Sequence, residues 1–437
     1  MATTGDRDVA FIGADRPHLS RVLDSGFPGG AIRSAADDSP GPRLPLVHAC
    51  GELPFPTDVR RLTILIDALN PRAQRSEHPP QLVNALSEAG MQVELHWVSA
   101  GLLARLDRRS SLATDGGSLE GAWTQVLSTA PDAVLAYDAA SPAAWLGARI
   151  ARREGIPLIL VEPAWFSLRP FHERILDGIG RRLWGRRVRQ EAQSVIALDP
   201  VAVERALQSG FARERVELIP TGVDTAAFAP GATSPLLARH RLAGRIVLNV
   251  GPLVSGRGLE NLLTAWARTV GQRSDWSLVF AGEGPLRRRL ETVASRLGVR
   301  AGVRFLPAPQ REELPGLFCA STLLAVPAED DRVRGRQVVR AMASGLPVIV
   351  EGTPRLAFRV DHERTGYVVD PGDPSGWTQA LERAAGAPRA RADWAVTARA
   401  MVERELDWSR LAERYSERIE NAIELERRSD PSRMAFE

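Results

Sequence analysis

Ile246-Val247-Leu248-Asn249-Val250-Gly251-Pro252-Leu253-Val254-Ser255-Gly256-Arg257-Gly258 is the stretch that decides the fold. Residues 246–250 form a short, mostly β-branched apolar run of strand length, and the run ends in glycine. Gly251, Gly256 and Gly258 then allow a strand-to-helix turn in which backbone can approach a neighbour or a bound group closely. Helix starts of this kind expose N–H groups suited to an anion, so the stretch reads as one unit of an open parallel sheet with a candidate phosphate site.

The same pattern recurs on both sides. Downstream, strands are predicted at Trp276–Ala281, Val303–Leu306, Leu323–Val326 and Pro347–Val350, with helical runs between them. Upstream, the strand candidates are Val9–Ile12, Leu46–Ala49, Leu62–Ile66, Val93–Val98, Ala133–Tyr137, Pro157–Val161 and Ser194–Leu198. Helical stretches such as Pro80–Ala89 and Ala143–Glu154 alternate with them. Two loop-like breaks, Asp37–Arg43 and Phe228–Pro235, divide the chain. The expected organisation is an appended unit over 1–58, a Rossmann-like domain over 59–228, a second over 236–405, and a C-terminal crossing helix and tail over 406–437. Two doubly wound units of this kind face each other across a cleft, and ligands bind beyond the C-terminal ends of the strands.

Composition bounds the rest. The 437 residues exceed one ordinary core. All 56 Lys+Arg residues are arginine, which removes Schiff-base lysine chemistry and leaves planar, permanently charged anion forks. A formal net charge of +3 gives no reason to expect a nucleic-acid partner. Cys50 and Cys319 lie far apart and have no metal-ligand spacing. There is no apolar run of spanning length, and Met1–Arg7 is polar, so a cytoplasmic protein is expected. Phe171–Val188 carries apolar residues at helical spacing with Arg174, Arg181, Arg182, Arg186 and Arg187 between them. Such a segment suits either a core-packed helix or peripheral contact with an anionic inner membrane face.

Four stretches, the first within the opening run, carry a family resemblance: Val250-Gly251-Pro252-Leu253 running to Gly258, Ala281-Gly282-Glu283-Gly284-Pro285-Leu286, Ala341-Met342-Ala343-Ser344-Gly345-Leu346-Pro347-Val348, and Thr365-Gly366-Tyr367-Val368-Val369 followed by Pro371-Gly372-Asp373-Pro374. Ile219-Pro220-Thr221-Gly222-Val223-Asp224 precedes them. In this order and at these spacings the chain resembles the family 4 retaining glycosyltransferases. The resemblance implies the α/β GT-B fold, two Rossmann-like domains with C-terminal helices crossing back. It also implies transfer of a sugar from a nucleotide-diphosphate donor, with no metal required, to a glycan or lipid-linked acceptor. On the matching positions, Gly251, Arg257, Gly282, Glu283, Gly284, Gly335 and Arg336 fall at the donor.

The sequence departs from the family where the resemblance would place its chemistry. The family's Glu-x7-Glu pair, which contacts donor sugar and ribose, falls here on Arg332 and Arg340. Its diphosphate Arg and Lys positions hold Pro252 and Arg257. The loop Pro71–Ser76 lacks the family's glycine pair, and strand ends that often carry His read Tyr137-Asp138 and Val161-Glu162. Three readings are consistent with this. Contacts have shifted, with Glu329, Asp330 or Asp331 replacing the lost carboxylate. Alternatively, the arginines Arg332, Arg334, Arg336 and Arg340 serve a more phosphorylated or ribose-lacking donor. In the third, the chain is a non-catalytic partner that kept the fold. The candidate catalytic residues are therefore Arg332, Arg340, Asp331, Asp138 and Tyr137, with Glu162 and His78 on the acceptor side.

Overall fold

Leu62 through Ile66 are buried at every position, so both faces of that run must be covered, as in a parallel sheet sandwiched between helices. The computed structural model describes residues 60–68, 70, 76–98, 119–163, 185–240, 242, 244–329, 335–373 and 375–429. The expected unit at 1–58 and its strands Val9–Ile12 and Leu46–Ala49 lie outside these, as do residues 71–75, 171–184 and 330–334.

The first unit contains strands β1 (Arg61–Asp67), β2 (Gln92–Val98), β3 (Ala133–Tyr137), β4 (Leu158–Glu162), β5 (Ala192–Ala197) and β6 (Val216–Leu218). Helices α1 (His78–Glu88), α2 (Leu119–Ser128), α3 (Pro142–Glu154), α4 (Gly185–Glu191) and α5 (Pro200–Gln208) connect them. All pairings are parallel, in the order β2-β1-β3-β4-β5-β6. Leu62, Ile64 and Ile66 look into one apolar layer and Leu65 into the other. The chain reverses direction across the sheet at β1, between β2 and β3.

After the short helix α6 (Pro235–Arg239) the plan repeats. Strands β7 (Arg245–Val250), β8 (Trp276–Ala281), β9 (Val303–Leu306), β10 (Leu323–Val326), β11 (Val348–Glu351) and β12 (Tyr367–Val369) form a parallel sheet in the order β12-β11-β10-β7-β8-β9. Around it lie α7 (Leu259–Arg268), α8 (Arg287–Arg296), α9 (Leu314–Cys319), α10 (Arg336–Ala343), α11 (Pro354–Ala357), α12 (Gly376–Gly386) and α13 (Pro388–Glu405). β7 is the switch point here, and the buried Asn249 side chain donates to the Ala325 carbonyl at 2.8 Å, tying β7 to β10.

The last helix, α14 (Trp408–Ser429), returns to the first unit. Trp408, Leu411, Tyr415 and Ile419 enter the same core as Leu62, Ile64 and Leu135. The crossing is fixed beside the inter-domain linker. Val223 N–H donates to the Leu406 carbonyl at 2.9 Å, and Trp408 N–H donates to the Val223 carbonyl at 3.3 Å. Gly222 has no room for a side chain, since a Cβ there would sit 2.8 Å from Leu411 Cδ1 and 2.9 Å from Trp408 Cδ2. Val223 and Phe228 pack into the second core, although the apparent break in the sequence begins only at Phe228. Among the described residues, no helix is long and apolar enough to cross a membrane.

Candidate functional site

The C-terminal ends of β7 and β8 open onto a pocket of about 260 Å³, lined by Val250, Gly251, Pro252, Ala281, Gly282, Glu283, Ala308, Pro309, Leu314 and Gln337. The glycines are required by backbone proximity. Gly282, at φ +158°, packs so closely that a Cβ would overlap the Gly251 carbonyl oxygen, and one on Gly284 would overlap the Leu253 carbonyl. The two turns are also hydrogen-bonded to each other, Leu253 N–H donating to the Glu283 carbonyl at 2.8 Å. The pocket floor is therefore backbone, with the exposed Glu283 at its rim.

Arg257 does not reach into this pocket as a free cation. Its guanidinium folds back to donate to the carbonyls of Pro252 at 3.1 Å and Val250 at 3.3 Å. Burial pushes its pKa below the usual arginine value. Gly251 makes the space, since a Cβ there would overlap Arg257 Nη1. On the other wall stands Gln337, in the first turn of α10, whose side-chain oxygen is buried with no hydrogen-bond partner. Gln337 was not among the residues singled out by the sequence, where it looks like one more polar residue on a helix.

Across α10 lies a second cavity, of about 50 Å³, between the two units. Ser76, Glu77, His78 and Gln81 close it from the start of α1, and Pro163, Leu198 and Asp199 from the ends of β4 and β5. Thr221 and Gly222 contribute from the linker, and Arg336, Val339 and Arg359 from the second unit. Glu77 sits at the N-cap of α1, a helix begun by Pro79 and Pro80. It receives the Arg340 guanidinium, pairs with Arg336 at 3.1 Å and stands 3.7 Å from Arg311. Arg340 is buried and lies over the Phe228 ring at 5.1 Å. Burial lowers its pKa most, and Glu77 opposes that shift. A carboxylate thus does meet Arg340, but it comes from the first unit across the cleft. Glu329, one of the replacements the sequence offered, is exposed, and Asp330, Asp331, Arg332 and Arg334 lie outside the described residues. A second bridge joins the units where buried Arg355 meets Asp199 at 3.2 Å.

The first-unit candidates are held by contacts with their neighbours. The His78 ring shares a 2.8 Å hydrogen bond with the Tyr137 hydroxyl, lies 3.4 Å from the Tyr415 hydroxyl and packs edge-on to Trp408. Burial, helped by Arg336, draws the His78 pKa down to about 3, so the ring is neutral near pH 7. Burial likewise holds the Tyr137 hydroxyl protonated. Asp138 adopts φ +63° and its Oδ1 accepts from Ala140 N–H at 3.2 Å. Glu162 Oε1 accepts from Ala139 N–H at 2.8 Å, bracing the ends of β3 and β4. Of these four, only His78 lines the inter-domain cavity.

Fold and site together define a two-domain cleft protein whose second unit carries a glycine-floored pocket at its switch point. Comparison with known proteins agrees. Residues 81–227 match the model for glycosyltransferase family 4, and residues 239–401 match that for glycosyl transferases group 1. The chain belongs to the family 4 glycosyltransferases, of the GT-B fold. It is 34% identical over 187 residues to a D-inositol 3-phosphate glycosyltransferase of Salinispora tropica, covering 39% of this chain and 38% of that one. It is 29% identical over 302 residues to a GDP-mannose-dependent alpha-(1-6)-phosphatidylinositol monomannoside mannosyltransferase of Mycolicibacterium smegmatis, covering 65% and 76%. The matched stretches span only 38% to 48% of the lengths of the inositol phosphate relatives from Salinispora, Corynebacterium jeikeium and Acidothermus. Anabaena Alr3699/HepE, solved in complex with UDP, superposes with a TM-score of 0.62 at 18% identity, over 83% of this chain and all of that one.

Proposed function

We propose that this chain transfers a sugar, with retention of configuration, from a nucleotide-diphosphate donor to an acceptor held against the first unit. The observation that carries the reading is the backbone-floored pocket at the ends of β7 and β8, beside the first turn of α10. A floor of glycine backbone suits a flat base and ribose, and a helix N-terminus suits the phosphates that follow. Gly251, Gly282, Glu283 and Gly284 would hold the nucleoside. Gly335 and Arg336 would sit at the phosphates, where positive charge stabilises the leaving group. Closing two domains over the donor would align the acceptor and exclude water.

Relatives that use GDP-mannose and a neighbour solved with UDP support a nucleotide-sugar donor. They favour transfer over the competing non-catalytic role. A phosphatidylinositol-based acceptor in one relative supports a lipid-linked or glycan acceptor here. With it goes peripheral contact of the basic segment Phe171–Val188 with a cytoplasmic membrane face.

The test is thermal unfolding of the purified chain with UDP, GDP, ADP and their sugars. A ligand that binds only the folded state raises the melting temperature with concentration. One nucleotide family should do so, and its sugar should then turn over, with the anomeric outcome read by NMR. Failure of every nucleotide at saturating concentration refutes the reading.

A further inference from the structure

We propose that Arg359 and Arg336 form a phosphoryl-binding site in the inter-domain cavity, beneath the N-terminus of α10. It would receive either the outer phosphate of the donor or a phosphate on the acceptor. The inference rests on the donor reading only for the first of these sources.

Arg359 is 5% exposed, and its Nε and Nη1 are buried without a hydrogen-bond acceptor. Its Cζ lies 4.5 Å from the centre of the Phe358 ring, and those two donors still carry the cost of lost hydration without a hydrogen bond in return. Arg359 lies against the start of α10. Gly335, at φ +69°, caps α10, and a Cβ there would lie 3.2 Å from both Cδ and Nε of Arg359. Arg359 therefore lies beside the N-cap of an eight-residue helix, at the positive end of its dipole. Arg336, in that turn, lines the same cavity.

Glu77 is divided among three arginines, and Asp199 both meets Arg355 and accepts from Ala202 N–H as the N-cap of α5. Neither carboxylate hydrogen-bonds Arg359 Nε or Nη1. Arg257, the cation the sequence assigns to phosphate, is occupied by backbone carbonyls. A dianionic phosphoryl group would supply the acceptors that Arg359 Nε and Nη1 lack, and a bidentate fork is the geometry arginine offers it. The cavity, at about 50 Å³, is several times the space one water needs, at about 10–15 Å³, and so accepts one such group.

The experiment is calorimetric titration of the full chain and of Arg359→Met with UDP and GDP, with UMP and GMP, and with inorganic phosphate. In the donor case Arg359→Met weakens the nucleoside diphosphate about tenfold or more and leaves the monophosphate unchanged. In the acceptor case nucleotide affinities are unchanged, and phosphate binding measured with saturating nucleoside diphosphate is lost. Ligand-free Arg359→Met should unfold at the same denaturant concentration or a higher one, because an orphaned buried cation is removed. A lower one would mark Arg359 as structural and overturn the proposal. Equal binding of all probes by wild type and variant also overturns it, while leaving the donor reading intact. Phosphate binding that depends on Arg359 in a chain binding no nucleotide sinks the donor reading instead. Arg336→Gln, at a half-exposed position, repeats the comparison if Arg359→Met does not fold.

Discussion

Replacing Glu77 by alanine should cost more stability than replacing its partner Arg340 by methionine, although both break the same contact. Arg340 has a side chain 6% exposed, whereas that of Glu77 is 31% exposed. Removing one member of a fully buried pair costs about 3–5 kcal/mol, because the survivor stays buried and charged. Glu77 retains partial access to water, so about 2–3 kcal/mol is the appropriate scale for Glu77→Ala. That change leaves Arg340, Arg336 and Arg311 without the carboxylate they share. Arg340→Met leaves Glu77 with Arg336 at 3.1 Å and with water, and keeps an unbranched side chain over Phe228, so about 1 kcal/mol is expected. Urea unfolding of both single variants and the double variant, followed by tryptophan fluorescence, gives the asymmetry and the coupling energy. Scattering should also report a looser cleft in Glu77→Ala, since the contact joins the two units. Equal single costs, or additive ones in the double variant, would refute the reasoning that Glu77 neutralises a cluster rather than one arginine.

Other consequences follow from the same geometry. The folded His78 pKa of about 3 lies below the unfolded 6.5, so its contribution to stability is complete above pH 6.5 and lost as pH falls toward 3. The loss is about 1.4 kcal/mol per pH unit, and a His78→Phe variant should show a flatter acid limb in urea unfolding across that window. Gly222→Ala inserts a Cβ 2.8 Å from Leu411 Cδ1, and overpacking the α14 crossing should cost about 1–3 kcal/mol in the same assay. Gln337→Val removes the unpartnered buried oxygen in the pocket at β7 and β8, and should weaken nucleoside diphosphate binding about five- to tenfold by calorimetry. Unchanged affinity would show that Gln337 does not touch the nucleoside.

How much of this was legible in the sequence depends on the range over which each feature is determined. The strands Ala133–Tyr137, Trp276–Ala281, Val303–Leu306 and Leu323–Val326 fall where the apolar runs place them, because a strand buried on both faces must be apolar throughout. The three-residue strands β6 and β12 carry too few residues to show a run, and α13 buries little beyond Trp394, Ala398, Met401 and Val402 in 18 residues, so all three were missed. The glycine turns were legible for a local reason: the residue that must lack a Cβ announces itself. The charge arrangement was not, because its terms come from opposite ends of the chain. Arg340 stands out in the sequence as a carboxylate position turned basic, yet its answer is Glu77, 263 positions away and otherwise an ordinary residue before two prolines. The sequence put the replacement carboxylate beside Arg332, where a compensating change is easiest to see. The carboxylate that meets Arg340 stands on the facing domain, where the contact joins the two units. A charge reversal that looks like the loss of a site when read along the chain is, across the cleft, one half of an inter-domain ion pair.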